Sequence, residues 1–156
     1  MAAIARSNKS APVALLLGLM LALPASPDPS SDIRAVLQHV ATGLSEGNPA
    51  DALKEFDPSY PNYDKLRDDF EGLTAGYQLT NEVSVIDEQD TPDQINAVVE
   101  WTLTLGNLTN PGVQDSRNQQ IHVRFVRRKN HWKIVEFSPI DLFNPQFHPR
   151  SGNPPR

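Results

Sequence analysis

Few residues in this chain are of a type and spacing that could do chemistry. Cysteine is absent, which removes disulfides, thiolate metal sites and cysteine nucleophiles together. The four histidines, His39, His122, His131 and His148, share no His-x-His or i, i+4 spacing, so they are expected as surface residues, and no metal or cofactor is expected. Among the carboxylates, Glu136 is the catalytic candidate. It lies in a stretch of alternating apolar residues, and if no bulge intervenes the register turns it inward, where a carboxylate can serve as a general base. A bulge before Ser138 and Pro139, or a pairing with Arg127 or Lys133, would instead leave it on the surface. Tyr77, Trp101, Phe125 and Trp132 are the ligand-binding candidates, because large aromatic side chains on one face can wall an apolar pocket. The same residues also suit an ordinary core between sheet and helix.

The elements that must position these groups follow from periodicity. Ile33, Val36, Leu37, Val40, Ala41 and Leu44 recur at helical steps after Asp32, and Gly47 ends that helix. Asn48 and Pro49 then open a short helix with Leu53 and Phe56 buried, and Asn62 is placed to cap a third in which Tyr63, Leu66, Phe70 and Leu73 share a face. After Gly76 the period falls to two. Tyr77, Leu79, Val83 and Val85 mark one strand, and Ile95, Ala97, Val99, Trp101, Leu103 and Leu105 mark the clearest one. The loop from Gly106 to Asn118 leads to a strand with Ile121, Val123 and Phe125 on one face and His122 and Arg124 on the other. A tight turn at Lys129 and Asn130 gives Trp132, Ile134 and Val135.

Parity suggests the register, since a one-residue slip would turn the apolar set outward. Pairing Leu103 with Ile121, Trp101 with Val123 and Val99 with Phe125 buries all six, with Glu100 beside Arg124 and Thr102 beside His122 outside. The next hairpin pairs Phe125 with Ile134 and Arg127 with Trp132, and it sets Glu136 opposite Val123. The basic cluster Arg124, Arg127, Arg128, Lys129 and Lys133 reads as a solvated hairpin shielding a strand. Asn107-Leu108-Thr109 matches a glycosylation sequon, which has meaning only in a eukaryotic secretory route.

The ends of the chain read differently from its middle. Arg6 and Lys9 precede an apolar run from Ala11 to Leu23, which is about 13 residues where a membrane-spanning helix needs about 20. Residues 1–25 are therefore expected to be a cleaved signal peptide, with no stable membrane insertion afterwards. Residues 26–31 form a Pro/Ser linker, 32–143 one folded domain, and 144–156 a loose proline-rich tail. Without Arg6 and Lys9 the formal charge moves from -5 to -7, a poor match for nucleic acid. Export without cysteine points to a periplasmic or secreted bacterial protein.

Three helices followed by an antiparallel sheet, closing on His131-Trp132-Lys133-Ile134-Val135-Glu136-Phe137, resemble the nuclear transport factor 2-like superfamily in its SnoaL-like and cystatin-like branches, over about Asp32 to Phe143. The resemblance implies an α+β fold: three N-terminal helices on a strongly curved sheet of four or more strands that wraps the first helix into a cone. In that family the cone holds a small ligand or an active site, or serves in dimerisation. Isomerase members combine an inward carboxylate with a phenol, for which Glu136 and Tyr77 are the counterparts here. The expected function is an exported domain that binds a small apolar ligand or forms a homodimer. The alternative is a lyase or isomerase with Glu136 as general base.

Overall fold

The computed structural model describes residues 28–147. The expected signal peptide and the tail beyond Phe147, with His148, lie outside the described residues. Helix α1 spans Pro29–Ser45 and begins earlier than its apolar stripe suggests: the Asp28 side chain accepts from Ser30 N–H at 3.1 Å and Pro29 occupies the first turn. The end of the expected linker is thus helical. A proline whose missing N–H is unneeded and whose φ suits the helix, next to an aspartate that caps, is a helix start. Gly43 faces the next helix, and a Cβ there would stand 2.7 Å from the Ala52 backbone nitrogen. Gly47, at φ 71°, makes the turn.

Helix α2 (Pro49–Leu53) is capped by Asn48, which accepts from Asp51 N–H at 3.3 Å. Helix α3 (Tyr63–Gly76) buries Leu66, Phe70 and Leu73 as its periodicity requires, but the Asn62 side chain makes no capping bond. Four strands follow: β1 (Tyr77–Asp90), β2 (Gln94–Asn107), β3 (Gln114–Arg128) and β4 (His131–Ser138). They form one antiparallel sheet in the order β1-β2-β3-β4, curved around the helices. The far edge of β4 is covered by the chain after α2, where Asp57 N–H donates to Ile134 O at 2.8 Å and Ile134 N–H donates to Glu55 O at 2.9 Å. No helix among the described residues is long and apolar enough to cross a membrane.

The inward face is the one parity indicates, but the pairing across it differs. Leu103 faces Arg117, Trp101 faces Gln119 and Val99 faces Ile121, four residues away from the expected partners. Glu100 accordingly stands beside Gln120, and Thr102 beside Asn118. The cause is the connection: the polar stretch Gln114–Asn118, read as loop, is strand, so the turn is shorter and the pairing moves by an even number that parity cannot detect. The β3–β4 hairpin turns at Lys129 and Asn130 as expected, with Lys129 at φ 56° and Phe125 opposite Ile134.

Leu142 and Phe143, at the end of the expected domain, are fully buried in a 3-10 turn (Asp141–Phe143), and the chain continues in a turn where Phe147 N–H donates to Asn144 O at 3.0 Å. Pro145 packs against Gly72, where a Cβ would meet its ring at 2.8 Å.

Candidate functional site

Two β-bulges decide which ionisable groups meet. In β1, Val85 faces Val99 but Asp87 faces Val98, so Ile86 is the extra residue. In β4, Ile134 faces Phe125 but Glu136 faces Arg124, so Val135 is the extra residue. Each bulge reverses the alternation after it, and each thereby turns outward a carboxylate that strict alternation would have buried. Asp87 and Glu136 are the two carboxylates. Glu136 therefore does not face inward opposite Val123, as the unbroken register requires. That place belongs to Phe137, and Glu136 is 52% exposed, with its Oε2 3.0 Å from Arg124 Nη2.

The two outward carboxylates border one groove of about 340 Å³ on the outer face of the sheet, with Gln89, Asn96, His122 and Arg124 around it. Ala97, Val98 and Val123 also line it. Arg124 Nε is buried and has no hydrogen-bond partner among the described residues. A buried donor without an acceptor costs free energy that a bound acceptor would return. The groove thus offers the Arg124 guanidinium from β3 and acceptors from β1 and β4. Such an arrangement holds a polar molecule by charge-assisted hydrogen bonds.

The interior is built differently. Trp101 and Phe143 stand 5.3 Å apart, Trp101 and Phe137 5.8 Å, Phe56 and Phe137 5.3 Å, and Phe70 and Phe143 5.2 Å, mostly edge to face. These rings fill the space between helices and sheet. The indole N–H of Trp101 donates to Asn81 Oδ1 at 2.9 Å, and Asn81 in turn donates to Ser45 Oγ at 3.0 Å, so the polar edge of the ring is satisfied inside the protein. Tyr60 donates its hydroxyl to the Phe137 carbonyl. Burial raises the Tyr60 phenol above its ordinary value, Asn62 opposes this and the charge of Glu136 adds to it. This phenol, which periodicity did not single out because it lies in the irregular DPSYPN stretch, is committed to backbone.

The four aromatic candidates do not converge. Trp101 and Phe125 are core residues at 0% exposure. Trp132 borders a separate groove of about 270 Å³ with Asp32, His39 and Glu55, under the Arg127 guanidinium at 5.7 Å. Tyr77 stands at another rim with Leu105, Val113 and Arg117. Among the histidines, His39 Nδ1 lies 3.3 Å from Glu55 Oε1, His122 lies on the outer face and His131 is exposed at the hairpin. No group of three or more His, Asp or Glu among the described residues is arranged to hold a metal ion.

Two further ionisable residues were invisible to pattern. Glu88, turned inward by the first bulge, is 12% exposed and bound to the Ser30 hydroxyl and to Arg34 at 3.5 Å. Arg117 is buried within the sheet's inward face at 3% exposure, where alternation predicts an apolar residue. In the basic hairpin, Arg128 Nε meets Asp57 Oδ2 at 2.9 Å, and the Asp57 carboxyl is held down at about 2 by the bond to Ser59 first and that to Arg128 second.

The family model for the anti-sigma-I factor RsgI9, C-terminal domain, matches residues 35–142. No curated protein matches the chain. Among solved structures, a nuclear transport factor 2-like protein of unknown function from Shewanella oneidensis superposes with a TM-score of 0.55 at 11% identity, covering 70% of this chain and 97% of that one. A ketosteroid isomerase-like protein from Erwinia carotovora atroseptica gives 0.55 at 12% identity, covering 69% and 91%. A conserved protein from Planctomyces limnophilus gives 0.63 at 8% identity, covering 69% and 91%. The fold is that of nuclear transport factor 2-like proteins.

Proposed function

We propose that this chain, which belongs to the family of the anti-sigma-I factor RsgI9 C-terminal domain, is an exported, non-catalytic recognition domain that works through the outer face of its sheet. One observation carries this reading. The interior where a substrate would react is occupied by Phe56, Trp101 and Phe137, while the carboxylate that could have acted there is turned out to Arg124 at the rim of a polar groove. The occupant of that groove is a small polar molecule able to accept from Arg124 Nε and to donate to Asp87 or Glu136. Export is supported by Arg6 and Lys9 ahead of the apolar run from Ala11.

The test is an amide-resolved NMR titration of the full chain with a panel of amino acids, sugars and dicarboxylates. Binding should shift Asp87, Asn96, His122 and Arg124, and Arg124→Met should abolish it. Shifts centred on Trp101 and Phe137, or a concentration-dependent sedimentation change at the same face without any small-molecule binding, would move the working surface elsewhere or assign it to a second copy of the chain.

A further inference from the structure

The segment after β4 is held by both apolar burial and side-chain bonds to its backbone. From Pro139 to Phe147 it belongs to no strand, yet Leu142 and Phe143 are fully buried. The Phe143 ring sits in a chamber 5.2 Å from Phe70, 5.3 Å from Trp101 and 5.7 Å from Phe137. Two β3 side chains read the backbone of this strap. Gln119 Oε1 accepts from Leu142 N–H at 3.2 Å, and Arg117 Nη1 donates to the carbonyls of Leu142 at 2.9 Å and Asn144 at 2.8 Å. Arg117 Nε meets Asp115 Oδ2 at 3.3 Å, and the Phe147 ring lies 5.7 Å from the guanidinium carbon.

A hydrophobic side chain at position 117, opposite Leu103, would pack this wall without the desolvation cost of a buried cation. What the guanidinium adds is recognition of main-chain carbonyls, which is independent of the side chains that follow them. Both backbone groups of one residue held by receptor side chains, with an aromatic anchor seated in an apolar pocket, are the contacts by which a protein grips a linear peptide. We infer that Arg117, Gln119 and the chamber of Phe70, Trp101 and Phe137 form a peptide-binding site, occupied in cis by the strap. In trans it takes a linear peptide carrying an adjacent aliphatic and aromatic pair, as Leu142 and Phe143 do. The inference does not depend on the outer-face groove.

A tethered strap competes at an effective concentration on the order of millimolar, so the site must be vacated before a free peptide binds well. The experiment uses the full chain with Phe143→Ala and a fluorescein-labelled synthetic peptide of the sequence of residues 139–147. Fluorescence anisotropy should show binding about tenfold or more tighter than to the wild-type chain. Alanine in the peptide at the position of Phe143, or Arg117→Met added to the protein, should each weaken it about tenfold or more. A folded Phe143→Ala chain that ignores the peptide, or binding that is indifferent to Arg117, overturns the proposal. Should that variant fail to fold, native-state hydrogen exchange on the wild-type chain decides. Exchange of the Leu142 amide through an opening of lower free energy than that of Trp101 supports a detachable strap, and exchange of both only on global unfolding refutes it.

Discussion

The two faces of the same four strands are made of the same backbone and carry opposite kinds of order. On the inner face, Trp101, Phe137, Ile121 and Leu103 are excluded from water and interlocked with the helices. On the outer face, Thr102, Asn118, His122 and Arg124 stand in or near solvent, joined by short cross-strand links such as Asn118 Nδ2 to Thr102 Oγ1 at 2.8 Å. What separates them is not composition alone. Ile86 and Val135 each insert one residue: the β4 bulge moves Glu136 from the inner face to the outer, and the β1 bulge turns Asp87 out while turning in Glu88, which meets Ser30 and Arg34. The bulges thereby assemble the groove, and the carboxylate they turn inward has partners.

Exchanging the two side chains that follow the β4 bulge is the strongest way to break that contrast. The double substitution Glu136→Phe and Phe137→Glu puts a carboxylate among the inner rings and a phenyl ring at the groove, and should cost on the order of 5 kcal/mol in denaturant unfolding. A midpoint near wild type would show that β4 tolerates either assignment of its faces. A smaller effect is expected where the inner face uses a polar residue. Asn81→Leu removes the acceptor of the Trp101 indole and the donor to Ser45, and should cost about 1–3 kcal/mol with a shift in tryptophan emission.

Charge at the sheet's covered edge gives the third test. Asp57 has its carboxyl lowered from 3.8 to about 2 in the folded chain, so its contribution is present above about pH 4 and is lost as pH falls through that range toward 2. Asp57→Asn should flatten the dependence of Tm on pH in that window, and an unchanged slope would mean that this carboxylate adds nothing to acid stability. The smallest effect belongs to the outer face itself. Glu136→Gln breaks an exposed pair with Arg124 and should change stability by less than about 1 kcal/mol. A loss several times larger would mean that Glu136 is held in the interior after all.

Much of the architecture could be read from spacing. The helical stripes of Val36, Val40 and Leu44 and the alternation from Ile95 to Leu105 specify which side chains are buried, because burial of apolar surface is the main force that drives folding and periodicity records it directly. The Lys129–Asn130 turn was equally legible, as the polar break between two alternating runs, although it is Lys129 and not Asn130 that takes the left-handed backbone. Parity, however, is blind to even shifts, so the four-residue displacement of Leu103 from Ile121 to Arg117 leaves every face unchanged. It is blind as well to a bulge, which depends on backbone geometry across two strands and leaves no mark on either alone. The location of Glu136 is the sharpest case. Its type was given by one letter, but its side of the sheet was decided by Val135 and Arg124 together, and the burial of Arg117 by carbonyls of a strap 25 and 27 residues further along. Local pattern determines what a residue can be packed against; only the assembled fold supplies the distant partners that make a buried charge tolerable or turn a carboxylate out to water.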